Sequence, residues 1–166
     1  MPKGTTRAAV YGAAFATLTS PAAAQGLVMV KDVSYDMALV IAQTALESCR
    51  AQNFKFGVSV VDRGGHVLVT LRDHGAAHHT VELAQRKAYT SRIFRQTSKE
   101  FSQRLRDNPI SAGLGTTSGV LASVGGIPIK VGDEVIGGVG VSGAPGGQRD
   151  EDCALAGLAK VADQLK

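Results

Sequence analysis

Four histidines are the residues of this chain best suited to chemistry: His66, His74, His78 and His79. The last three fall within six positions, and neutral imidazole is a good ligand for haem iron, zinc or copper. A protein zinc site needs three or more ligands, and no H-E-x-x-H spacing is present. Haem needs only one axial imidazole, because the porphyrin supplies four nitrogens. A cationic run follows: Arg86, Lys87, Arg92, Arg95, Lys99, Arg104 and Arg106. On a helix such a run is either a solvated face or a grip for carboxylates, such as haem propionates or a small organic acid. His79, Glu82 and Arg86 stand at i, i+3 and i+7, so they share one helix face.

Other patterns carry less. Gly138-x-Gly140-x-x-Gly143 matches the letters of a dinucleotide fingerprint. Its strand belongs to a hairpin, and a single helix remains after it, whereas the fingerprint requires the first turn of a parallel βαβ unit. These glycines are better read as allowing a backbone or flat ligand to come close. The loop after them precedes a helix N-terminus, where weak anion binding can occur. No G-K-[ST] is present, which excludes a P-loop. Cys49 and Cys153 lie on expected helices without a metal-type spacing partner. They either pair, if the first and last helices touch, or sit reduced in the core.

The expected elements follow from periodicity and turn residues. Leu27–Val33 reads as an edge strand. Ser34 is positioned to cap a helix over Tyr35–Ala51, whose Ala38, Ile41, Ala42, Ala45, Leu46 and Cys49 recur at helical spacing. Phe56–Val61 and His66–Leu71 make a hairpin across Asp62-Arg63-Gly64-Gly65. A second helix spans His78–Phe94, and a third, capped by Ser98, spans Lys99–Arg106 before Pro109. Val120–Val124 reads as a short strand. Ile127–Val131 and Glu134–Val141 form a second hairpin, and the last helix covers Arg149–Leu165. The expectation is one α/β domain of α+β type: an antiparallel sheet of about five strands, built from two hairpins and flanked by helices.

The chain has 166 residues, 44% hydrophobic and 19% charged, enough for one domain with a real core. Lys3 and Arg7, the weakly apolar Ala8–Leu18 run and the A-x-A pattern at Ala22 and Ala24 read as a cleaved secretory signal over residues 1–24, leaving 25–166 as the domain. That points to a periplasmic or secreted protein. All acidic residues follow Ala24, so the remainder is nearer neutrality than the formal charge of +4, and no nucleic-acid footprint remains. No stretch suggests a membrane span.

Several motifs together resemble a known family. They are Val60-Val61-Asp62-Arg63-Gly64-Gly65-His66, Arg72-Asp73-His74-Gly75-Ala76, Arg86-Lys87-Ala88-Tyr89-Thr90-Ser91, Gly125-Gly126-Ile127-Pro128-Ile129, Val135–Gly143 and Asp150-Glu151-Asp152-Cys153-Ala154. Their order is similar to that of the GlcG/HbpS-type haem-binding family, related to the C-terminal domain of PduO proteins. The resemblance covers most of residues 33–166. It implies a compact α/β domain, homo-oligomers, and haem or a related tetrapyrrole as ligand. In that setting His79, then His74, are the candidate iron ligands, Arg86 and Lys87 the propionate partners, and Thr90 a further pocket residue. Where the family often has R-M-D-G-A, this chain has Asp73 and His74 in place of Met and Asp, which adds an imidazole.

The expected function is an exported haem-binding protein, serving haem scavenging or a sensor. Two alternatives stand beside it. One is a small periplasmic enzyme or enzyme accessory for an organic acid, with His79 or His74 as base and Arg86 as clamp. The other is a structural oligomer without ligand.

Overall fold

The computed structural model describes Met1, Gly4 and residues 26–166. The secretory signal expected over 1–24 lies outside the described residues apart from those two positions. The domain runs α1 (Tyr35–Arg50), β1 (Gly57–Val61), β2 (Val67–Arg72), α2 (His79–Phe94), α3 (Ser98–Asp107), β3 (Gly126–Val131), β4 (Glu134–Ser142) and α4 (Gln148–Lys160). Short 3-10 turns cover Pro109–Thr116 and Ala162–Gln164. None of the described helices is long and apolar enough to cross a membrane.

The sheet is antiparallel throughout, in the order β2-β1-β4-β3. Both expected hairpins form, and β1 joins them by pairing with β4 from Gly57↔Ser142 to Val61↔Gly138. Pro128, which has no N–H to give a ladder, lies in β3 at the sheet edge.

Side-chain alternation gives the two faces different jobs. Val58, Val60, Val139, Val141, Ile127 and Ile129 form a core with Ile41, Ala45 and Cys49 of α1 and Cys153 and Ala154 of α4. The other face carries Gly57, Ser59, Gly138 and Gly140, and there α2 comes down almost onto the backbone. A Cβ on Gly140 would stand 2.1 Å from the Ala84 carbonyl oxygen, and one on Gly138 2.4 Å from that of Ala88. The paired glycines of the false fingerprint therefore serve the close approach of a helix backbone. Cys49 and Cys153 form a disulfide between α1 and α4, with both residues fully buried and their Cα atoms 5.5 Å apart.

Four strands are present among the described residues, not about five. Val120–Val124 is irregular backbone rather than a strand, because its N–H groups are spent elsewhere. The Val120 N–H donates to the Thr117 carbonyl, the Ser123 N–H to the Leu121 carbonyl, and the Leu121 N–H to Thr90 Oγ1 at 2.8 Å. Leu27–Val33 is not a strand either; Leu27, Val28 and Met29 are exposed, and only Val33 is buried. Thr97, not Ser98, caps α3, in a reciprocal box with Glu100. Ser98 is buried, and its Oγ accepts from the Gly126 N–H. The last α-helix ends at Lys160 rather than Leu165.

Candidate functional site

Helix α2 and the loop before it carry every residue singled out for ligand binding. Asp73 organises that loop. Its Oδ1 accepts from Arg50 Nε at 3.0 Å and from the His74 N–H at 3.0 Å, and Lys55 Nζ stands 3.8 Å from Oδ2. The Arg72 guanidinium donates to the Ala76 carbonyl, and Thr80 Oγ1 donates to the Ala77 carbonyl at the start of α2. The segment is thereby fixed, while the side chains it presents, His74, His78 and His79, remain exposed. No cluster of three or more His, Cys, Asp or Glu able to hold a metal occurs among the described residues.

The Arg50 guanidinium hydrogen-bonded to Asp73 holds its carboxyl below the usual carboxylate range, against the opposing pull of burial. A depressed folded-state pKa contributes stability that is present above the unfolded-state value and lost as pH falls through the folded one. Asp73→Asn is therefore expected to lower the melting temperature at neutral pH and to flatten its decline on acidification below about pH 4. Circular dichroism melts from pH 7 to pH 3 test this, and an unchanged acid limb would contradict it.

The arginine–lysine pair of α2 divides between two recesses. Successive helical positions differ by about 100°. Arg86 turns outward, where its Nη2 donates to the Val120 carbonyl at 2.7 Å and its Nη1 reaches Glu82 at 3.4 Å. Its Nε is buried without a partner. It lines an open apolar groove of about 190 Å³ with Val61, Val67, Gln85 and Tyr89. Gly65 and Gly119 hold the Tyr89 ring between them; a Cβ on either, at 2.9 and 3.3 Å from the ring, would crowd it. Both glycines have positive φ.

Lys87 turns inward and is buried. Its Nζ donates to Asp150 Oδ2 at 2.8 Å and to the Val141 carbonyl at 2.9 Å. Asp150 Oδ1 accepts from the Ala144 N–H. Burial pushes the Asp150 carboxyl up, opposed by Lys87. Thr90 is also buried and fully engaged, donating to the Arg86 carbonyl and accepting from the Leu121 N–H.

The structure therefore places His79 and Arg86 on one outer face of α2, with His74 on the preceding loop. Lys87 and Thr90 are not brought to that surface. Gln85, Tyr89, Val61 and Val67 were not singled out by sequence reasoning. The spacing of Gln85 and Tyr89, one helical turn apart and flanking Arg86, was the available signal. Asp150 entered the sequence reading only within the motif Asp150-Glu151-Asp152-Cys153-Ala154.

The family model described as "Haem degrading protein HbpS-like" matches residues 33–159. Protein GlcG of Escherichia coli strain K12 is 31% identical over 111 residues, which span 66% of this chain and 81% of the relative. The crystal structure of a double mutant of Streptomyces reticuli HbpS superposes with a TM-score of 0.78 at 34% identity, over 86% of this chain and 97% of that one. A crystal structure of a PduOC–heme complex gives 0.68 at 26% identity, over 76% and 93%.

Proposed function

The chain belongs to the HbpS-like family, and on that premise we propose that it is an exported haem-binding protein, acting in haem scavenging or as a sensor accessory. The observation that carries the site is the outer face of α2. It sets the exposed imidazole of His79 in line with Arg86, seven positions or about 10 Å further along the helix. His79 at the start of α2, or His74 on the preceding loop, would hold the iron through an imidazole nitrogen. The partly exposed guanidinium of Arg86 would hold a propionate. The wall formed by Val61, Val67 and Tyr89 offers apolar surface for the flat macrocycle. The groove holds only part of a tetrapyrrole, so the ligand lies against the domain, and a second copy in a homo-oligomer would cover the remainder. Iron bound there would supply redox chemistry; the residues of the chain bind and orient.

Support for export comes from the Cys49–Cys153 disulfide, since such bonds persist in oxidising compartments. Titrating the purified protein with haemin tests the binding. A saturable Soret band is expected, weakened or shifted in His79→Ala and further in the His79→Ala/His74→Ala double variant. A spectrum indistinguishable from free haemin, or a Soret band unaffected in the double variant, would overturn this assignment.

A further inference from the structure

Tyr89 lines the same groove as Arg86, three residues further along α2, so the two side chains leave one helix face about 5–6 Å apart. Two separate loops reserve a slot for its ring. Gly65, in the turn between β1 and β2, borders one edge, where a Cβ would stand 2.9 Å from Cδ2 and Cε2. Gly119, beyond the first 3-10 turn, borders the opposite edge, where a Cβ would stand 3.3 Å from Cδ1. Their φ values of 86° and 78° lie in the left-handed region, so another residue at either place would be strained as well as crowded.

The ring is held, but its hydroxyl is not engaged. Tyr89 is half-buried, and its Oη makes no hydrogen bond with a described residue while staying open to solvent. Phenylalanine would fill the slot equally well, so packing does not account for the hydroxyl. Of the other polar side chains in the groove, Gln85 already spends an amide N–H on Thr70 Oγ1. Arg86 gives one N–H of Nη2 to the Val120 carbonyl and one of Nη1 to Glu82, which leaves each terminal nitrogen a second N–H. The remaining wall, Val61 and Val67, is apolar. The groove thus offers two free donors of different kinds, a fixed phenol and a guanidinium one helical turn away. That pair matches the two oxygens of one carboxylate.

We propose that Tyr89 Oη and the Arg86 guanidinium together grip one propionate of the ligand, one oxygen each, which makes Tyr89 a residue that selects tetrapyrroles with free acid groups. The proposal rests on the haem reading above and adds a donor to it. The slot orders the ring beforehand, so little side-chain freedom is lost on binding. Soret titrations of the parent and Tyr89→Phe test it, with haemin and with haemin dimethyl ester, whose propionates are esterified. Tyr89→Phe is expected to bind haemin about tenfold more weakly and the ester at most about threefold more weakly, since a hydrogen bond to a charged acceptor is the stronger one. Circular dichroism melts should match between the two proteins, because the ring and its slot are retained. Equal haemin affinity in parent and variant, or equal losses for the two ligands, would overturn the proposal alone. A parent that gives no saturable Soret band with either ligand would overturn the haem reading and this proposal with it.

Discussion

Replacing Cys49 and Cys153 together by alanine is expected to cost about 2–5 kcal/mol of stability and to lower the melting temperature by about 10 °C. The bond closes a loop with a sequence separation of 104 residues, so it restricts a large part of the unfolded chain. The separation of 5.5 Å between the Cα atoms lies in the ordinary range for a disulfide. Both residues are fully buried in the α1–α4 seam, so the double variant also removes packing between those helices. Thermal melts of the double variant, and of the parent after unfolding and refolding with a phosphine reductant, provide the measurement. Equal melting temperatures for oxidised and fully reduced parent, with the thiol state checked by mass spectrometry, would contradict the expectation.

Gly140→Val is expected to be at least as damaging, with a loss of about 3 kcal/mol or more and poor recovery of folded protein. The new Cβ would meet the backbone carbonyl of Ala84, which cannot swing aside as a long side chain can. Relief requires lifting α2 from β4, which would also strain the contacts at Gly138 and Gly126. Gly113→Ala is the control: nothing lies within 4 Å of a Cβ there. It should stay within about 0.5 kcal/mol of the parent. Urea unfolding of the three proteins decides the matter, and a Gly140→Val midpoint equal to that of the control would overturn this account of the helix–sheet seam.

The hairpins and all four helices were legible because their signals are local: alternating β-branched residues around Gly-rich turns, and apolar recurrence at helical spacing. What misled were apolar runs whose backbone partners are not local. Val120–Val124 has strand composition, yet Leu121 bonds to a threonine on α2. Leu27–Met29 looks strand-like, yet pairs with nothing described. Within the site, His79 and Arg86 could be aligned by counting residues. Lys87, taken with its neighbour as a propionate partner, illustrates the limit of motif reading. One step along a helix turns a side chain from solvent to core, and no local pattern announced that Asp150, 63 positions away, would meet it. The pairing of Cys49 with Cys153 likewise depends on Cα geometry that spacing does not contain.

The staple between α1 and α4 also changes what a cut in the polypeptide means. Every loop from β1 to the start of α4 lies within the ring it closes. A protease that clips the exposed Gly132-Asp133 turn produces two chains still joined by sulfur, with most of the strand pairing intact. In a compartment rich in peptidases, a nick there would leave one molecule rather than two fragments.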